Sequence, residues 1–559
     1  MPKSPLFQRL VRLTREHRRA LATGRPVEAV REEAEGLRLS RRTFLAGSAA
    51  AAAAAALPAA VDGAGGTKPV KVAIVGGGLA GLTAALQLTD AGFAPTIYEA
   101  MGRLGGRLKS EKAGEPACGK CHDVEAPRGP EWLEGQVTDV FGEFIDTGHE
   151  TMRGLARRFG LPLVSLHLAE AKRSTETYFL DGKHWPKAEA DRAYQAIVKA
   201  LEADVAAAEE TTWDKLSDAG KALDAMSLAA WVEARVPGGR KSPLGKLLEV
   251  AYAIEFGADP EDQSALNLVT LLGYSPSKKV LDVYGESDEA FRISGGVDRL
   301  PKALARHLEK RCTLETGCEL TRVTKRADGA VVLSFAGKPE VVADFAILTA
   351  PFAALRNVDL EGAGFDERKL RAIRELGYGK NGKLHLQFSE RLWRNQGSWG
   401  ISNGQVYTDL GFQSAWESTR GQPGKGGILA FYTGGSGATA QAIAHPYAPG
   451  DDKNVAADAL RFLDQAEQVF PGLRRTWNGR AAGAMPHLNR FWGGSYSYYR
   501  VGQWQAFGGH EPEPQGNVFF AGEHTTQEAQ GYMEGAALTG TAAGKAVAKL
   551  LRRQGRKQP

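Results

Sequence analysis

The sequence predicts an α/β fold, a parallel sheet flanked by helices, with a second α+β unit inserted into it. Two strand–glycine stretches near opposite ends of a 559-residue chain carry the first part, and the length and alternating segments between them carry the second. Val72 to Val75 is a short apolar run, as a central parallel strand buried on both faces requires. Gly76, Gly78 and Gly81 follow in G-x-G-x-x-G spacing. The first allows a tight turn, the second lets a pyrophosphate approach the backbone, and the third lets the helix pack on the sheet. A helix from about Leu79 to Ala91 aims its N-terminal amides at the phosphates. Gly92 stops it, Ala94 to Tyr98 forms the next strand, and Glu99 ends that strand where a carboxylate accepts from ribose hydroxyls. Strand, turn, helix and acid in this order describe a Rossmann-like dinucleotide site.

Arg103-Leu-Gly-Gly-Arg107 lies just beyond the acid, where a nicotinamide enzyme needs nothing special. A second glycine pair between arginines suits a longer cofactor. Near the other end, Asn517-Val-Phe-Phe-Ala-Gly-Glu-His-Thr525 reads as a strand leaving Gly522 and Glu523 at its carboxyl end. Gly531-Tyr-Met-Glu-Gly535 then opens a helix rich in small residues, whose N-terminus can stabilise negative charge on a reduced ring.

These strings resemble the flavin amine oxidase family, which includes monoamine oxidases and L-amino acid oxidases. The resemblance continues through Ile293-Ser-Gly-Gly-Val-Asp-Arg-Leu-Pro301 and Asp344 to Pro351. It implies FAD, held by Gly76, Gly78, Gly81, Glu99, Arg103, Arg107, Gly522 and Glu523. Gly142 and Met533 are implied beside the ring, with Val323 as an adenine-side backbone contact. Two positions depart from the pattern: Met101 replaces an arginine common near the adenosine, and Phe141 replaces a usual glycine. Ser495 stands where some members carry the cysteine that bonds the flavin; serine forms no thioether, so noncovalent FAD is expected.

The resemblance also implies the reacting groups. Gly493-Gly-Ser-Tyr496 and Gly531-Tyr532 match the segments that set two aromatic rings before the flavin. Facing π-systems orient an electron-rich nitrogen. Packing is the ordinary role of any single tyrosine, but this pair, each in its own string, favours a cage. Leu376-Gly-Tyr-Gly-Lys-Asn-Gly-Lys383 matches the strand whose lysine holds water against flavin N5; Lys380 competes, and the spacing to Trp393-Arg394 favours Lys383. Asp139-Val-Phe-Gly-Glu-Phe-Ile-Asp146 resembles the segment packed on the ring. Within it, Phe144 falls where many L-amino acid oxidases carry an arginine for the substrate carboxylate. Burying a carboxylate without a cation is costly, which favours an amine lacking one, although an arginine from elsewhere would readmit amino acids.

The expected activity is FAD-dependent amine oxidation: an imine forms, water hydrolyses it, and dioxygen reoxidises the flavin to give hydrogen peroxide. An L-amino acid oxidase or a quinone-linked amino acid dehydrogenase is the first alternative. A desaturase or isomerase of the wider superfamily would share R-x-G-G-R but needs neither the tyrosine pair nor the lysine. No metal is expected, since the 11 histidines show no ligand spacing.

Residues 1–66 carry 11 Lys and Arg against 6 Asp and Glu, which is the whole formal net charge of +5. The rest is balanced and gives no reason to propose nucleic acid as a partner. Ser40-Arg-Arg-Thr-Phe-Leu45 and the Ala-rich run to Leu57 form a twin-arginine signal, too short and weakly apolar to span a membrane. Export by the twin-arginine machinery to the periplasm or beyond is expected, with FAD enclosed before export. Cys118-Gly-Lys-Cys121-His122 matches a c-type haem attachment string, but its short segment lacks the apolar envelope a haem needs. Cys312 and Cys318 are a further candidate pair. The expected domains are the signal and extension at 1–66, a discontinuous FAD-binding domain at 68–155, 290–352 and 480–555, and a substrate domain at 156–289 and 353–479. Residues 186–236 read as surface helices, with Ile197, Leu201 and Val205 at helical spacing.

Overall fold

The structure, a computed structural model, describes residues 70–113, 130–208 and 211–554. The signal and the Cys118–His122 string therefore lie outside the described residues. Five parallel strands form one sheet in the order Val518–Phe520, Phe345–Leu348, Val72–Val75, Thr96–Tyr98, Thr313–Glu315. The apolar run Val72–Val75 is central and buried at every position. The helix Leu79–Asp90 packs along the C-terminal helix Met533–Arg553. Small residues permit that approach: a Cβ at Gly540 would lie 2.2 Å from the Ala80 carbonyl oxygen.

The second unit is an eight-stranded sheet, antiparallel except where Ser402–Thr408 pairs with Thr175–Leu180. Its strand Asn381–Phe388 is buried throughout, and period-two alternation gives its faces different chemistry. Leu384, Leu386 and Phe388 join an apolar core that includes Phe462 and Leu463 of the helix Lys453–Val469. Lys383, His385 and Gln387 face the segment 132–141: Lys383 donates to the Asp139 and Phe141 carbonyls, and Gln387 to Leu133. This fixes Lys383 where the two units meet.

A helical layer, Lys187–Ala207, Asp218–Asp224, Leu228–Arg235, Pro243–Phe256 and Ala265–Leu272, covers the second unit. Ile197 and Leu201 are buried, as their spacing predicts. Ser217, Ser227, Ser242 and Ser264 each accept a backbone N–H two or three residues on, capping the last four of these helices. Pro243–Phe256 stops at Gly257 in the left-handed region (φ 63°), where a Cβ would lie 2.2 Å from Asn381 Oδ1. Its carboxyl end is thereby held against Asn381.

The candidate pair Cys312 and Cys318 is not bridged; both are free thiols. The strand Thr313–Glu315 separates them, and their side chains pack into different apolar clusters.

Candidate active site

Both units line one cavity of about 480 Å³, within the range of small-molecule sites. At its dinucleotide end Gly76 turns the chain with φ 108°, and a Cβ at Gly81 would lie 1.9 Å from the Gly76 carbonyl oxygen. The two glycine strings face each other. The Gly105 N–H donates to the Gly77 carbonyl at 2.8 Å, and a Cβ at Gly78 would meet only the Gly106 Cα at 4.0 Å. Glu99 accepts from the Gly77 N–H at 2.6 Å and the Met101 N–H at 2.7 Å. Burial raises its carboxyl against the pull of those bonds.

Arg107 and Glu523 tie the remaining strings together. The Arg107 guanidinium donates to the Ser495 carbonyl and to Glu523 Oε1, the latter at 3.0 Å. The other Glu523 oxygen accepts from Ser497 Oγ at 2.8 Å and the Gly531 N–H at 3.1 Å. Burial opposes this carboxylate's charge, but Arg107 and the hydrogen bonds from Ser497 help to outweigh it and hold the carboxyl below its ordinary range. Beside it, burial pushes His524 down to about 4, leaving the ring neutral. Among the described residues, both its nitrogens and Gln530 Oε1 are buried without a hydrogen-bond partner while lining the cavity. A cradle without Cβ atoms, a carboxylate at the second strand end and orphaned polar atoms fit a dinucleotide such as FAD.

Three residues expected to hold the cofactor do not line the cavity. Gly81 acts through helix packing. Arg103 braces the glycine turn, donating to the Gly106 carbonyl at 2.6 Å and to Tyr447 Oη at 3.0 Å. Val323 is buried in the core and its N–H donates to Asp359; the chain reaches the cavity earlier, at Cys318, Glu319, Leu320 and Thr321. The departures Met101 and Phe141 share one cluster with Tyr447 and Trp492, the Phe141 ring lying 5.0 Å from Trp492. The larger side chain at 141 thus packs into an aromatic nest.

At the other end Lys383, Tyr496 and Tyr532 come together from three strings. Gly142 touches Met533, whose Sδ lies 2.9 Å from a Cβ placed there, and Gly531 backs onto Tyr496. The hydroxyls of the two tyrosines are anchored on adjacent residues of one helix end: Tyr496 donates to the Ile254 carbonyl at 2.7 Å, and Tyr532 to Glu255 Oε1 at 3.1 Å. Burial raises both phenols well above their ordinary value, so they remain protonated. Lys383 Nζ donates to Glu143 Oε2 at 3.2 Å and lies 4.9 Å above the Trp416 ring. Arg292 completes that network, 3.4 Å from Asp139 and 3.7 Å from Glu143. Burial raises Asp139 to about 6, with Arg292 opposing.

Several wall residues carry no motif. Trp416 stacks edge-on against Phe144 at 5.6 Å and Tyr432 at 5.0 Å, and donates to Glu143. Tyr284, Glu255, Glu289 and Gln405 also line this end. Glu143 and Phe144 sat inside a recognisable string; the others are ordinary residues of helices, strands and a loop. Two guanidinium groups line the cavity: Arg107 is engaged by Glu523, and Arg490 by both oxygens of Glu319, at 2.6 and 2.8 Å.

Comparison with known proteins agrees with this geometry. The family described as flavin containing amine oxidoreductase matches residues 79–548, and the twin-arginine translocation signal matches residues 38–58. That signal directs export through the twin-arginine pathway, to the periplasm or beyond. An L-amino-acid oxidase of Vipera ammodytes ammodytes is 23% identical over 86% of this chain and 93% of its own length. A putative flavin-containing monoamine oxidase, AofH, of Mycobacterium tuberculosis is 24% identical over 86% and 97%. Among solved structures, cyclohexylamine oxidase from Brevibacterium oxydans IH-35A superposes with a TM-score of 0.70 at 21% identity, covering 87% of this chain and all of that one, which speaks for the fold. The chain belongs to the flavin-containing amine oxidoreductase family and is a flavin-dependent amine oxidase.

Proposed function

We propose that the protein holds FAD noncovalently and oxidises amines that carry no α-carboxylate, releasing hydrogen peroxide after imine hydrolysis. One observation carries this reading: among the described residues no guanidinium is available at the substrate end. Phe144 and Trp416 stand together there, and both cavity arginines are already paired. Bound FAD would supply the two-electron acceptor for the C–H next to nitrogen and return the electrons to dioxygen.

The chain's residues do the rest. Gly76, Gly78, Glu99 and the Arg107–Glu523 pair would hold the dinucleotide; Gly142 and Met533 would back the ring. Tyr496 and Tyr532 would orient the amine and exclude water from one side. Lys383, anchored on Glu143 and two carbonyls, would hold a water near the ring. Ser495 supports noncovalent attachment: its hydroxyl donates to Asn381 and has no thiol chemistry to offer. The proposed domain division draws support from the parallel sheet, all of whose strands fall within 68–155, 290–352 and 480–555; the strand Trp477–Ala484 crosses the last boundary.

The test is a panel of primary amines and L-amino acids, read by flavin reduction without oxygen and peroxide release with it. Amines should reduce the flavin and amino acids should not; preference for amino acids would defeat the reading. Acid precipitation should leave all the flavin in the supernatant.

A further inference from the structure

We propose that Cys318 and Lys338 form an oxidative modification site, at which hydrogen peroxide couples the cysteine sulfur to the lysine nitrogen in a covalent cross-link. The oxidant is the product that the proposed oxidase activity releases. The site itself needs only peroxide and stands apart from the choice of amine.

The first observation is the contact. Lys338 Nζ donates to Cys318 Sγ at 2.9 Å, closer than the Thr316 carbonyl at 3.4 Å or Glu315 at 3.9 Å, which the same ammonium also reaches. Backbone holds both partners. Lys338 sits in the turn between the strands Val331–Phe335 and Val341–Ala343, where Gly337 has φ 66°. The Ala336 N–H at the start of that turn donates to the Glu319 carbonyl at 2.9 Å, and the Cys318 N–H donates to the Glu99 carbonyl at 2.8 Å. Sulfur and nitrogen therefore meet without any rearrangement of the chain.

The second observation is access. Cys318 is buried among its neighbours yet lines the cavity, which a molecule as small as peroxide can enter, and Lys338 is exposed and can pass a proton to water. A third observation is the contrast with Cys312, the other free thiol among the described residues. Burial raises the Cys312 thiol to about 11 with no charge opposing it. Burial raises Cys318 as well, but there the Lys338 ammonium opposes it.

The chemistry has two steps. The thiolate is the nucleophile, and a neighbouring ammonium favours it. Cys318 sulfur attacks one peroxide oxygen: a sulfur–oxygen bond forms, the O–O bond breaks, and the departing hydroxide takes up the thiol's proton as water. Lys338, having given one proton to solvent, then attacks that sulfur through Nζ. The sulfur–nitrogen bond forms as the sulfur–oxygen bond breaks, and the second hydroxide leaves as water with a proton from nitrogen. One thiol, one amine and one peroxide thus give one sulfenamide and two waters; sulfur loses two electrons and peroxide gains them. The link would tie the turn at 336–338 to the cavity wall beside Glu99, which holds the glycine turn. Attack by an added thiolate at sulfur would open it again.

The experiment treats the purified holoenzyme with hydrogen peroxide, digests it without reduction and maps the peptides by mass spectrometry. Added peroxide makes the result independent of which substrate the enzyme takes. A peptide pair joined through Cys318 and Lys338, lighter than the separate peptides by two hydrogens, is expected, and dithiothreitol should abolish it. Cys312 should remain a thiol. In Lys338→Met the pair should be lost and Cys318 should accumulate as sulfinic acid instead, because no amine intercepts the first oxidation product. Lys338→Arg, which keeps the charge but not the amine, should lose the pair in the same way. Cys318 recovered from the treated wild type as a free thiol, or as sulfinic acid beside an unmodified Lys338, would overturn the site. Oxidation of Cys312 to the same extent as Cys318 would overturn it too.

Discussion

The two ends of the cavity are built by different means. The dinucleotide end is made of backbone: two glycine strings face each other, and one carboxylate, Glu99, holds the turn through the Gly77 and Met101 amides. The substrate end is made of side chains from the segment 139–146, the end of Pro243–Phe256, the loop at Glu289 and four strands of the larger sheet. The first depends on close approach and tolerates no added atoms. The second depends on which distant residues become neighbours, so single changes there should alter rate and selectivity before they alter cofactor retention.

The sharpest break should come at Gly81. A Cβ there would lie 1.9 Å from a carbonyl oxygen, so Gly81→Val should abolish flavin binding in whatever protein is recovered. Flavin absorbance relative to protein checks this, and a fully loaded variant would refute the packing argument. At the other end, Tyr532→Ala should slow anaerobic flavin reduction by about a hundredfold, because lost orientation of about 1 Å has that cost. Its flavin content should stay near wild type. If flavin is lost instead while the rate per bound flavin holds, the separation between the two ends is wrong.

A smaller effect is expected from Glu99→Ala. Removing this carboxylate strands two buried amides, each worth about 1 kcal/mol or more, so FAD affinity should drop by roughly tenfold or beyond. The remaining holoenzyme should turn over normally; equilibrium titration of the apoprotein with FAD measures the first and stopped-flow the second. The mildest test uses pH. Glu289 has its folded pKa raised from 4.5 to about 8, so the folded state binds the extra proton and loses stability as pH rises through that window. Glu289→Gln should therefore melt progressively higher than wild type from about pH 4.5 to about pH 8, and the gap should level off above. A gap independent of pH would show that Glu289 is already neutralised by a neighbouring group.

These contrasts also explain how far the sequence could be read. Gly76, Gly78, Glu99, Arg107, Gly522 and Glu523 each sit in a string whose spacing reports its own geometry, and all six line the cavity. Val323 could not be placed in the same way. Its strand was recognisable, but which residue reaches the cavity depends on the bulge between Leu320 and Arg322 and on Asp359 taking the Val323 N–H. Phe144 could be placed in its segment from the string around it; that Trp416 packs against it was not visible from either segment.

By itself, then, the sequence determined the parallel sheet, the glycine turn, the acid after the second strand and the export signal, since local spacing and backbone stereochemistry decide all of these. Tertiary structure alone decided the Arg107–Glu523 pair, the Asp139–Glu143–Arg292–Lys383 network and the Trp416–Phe144 wall. Their partners lie more than a hundred residues away in the chain, and no periodicity in one strand says which other strand will be folded against it.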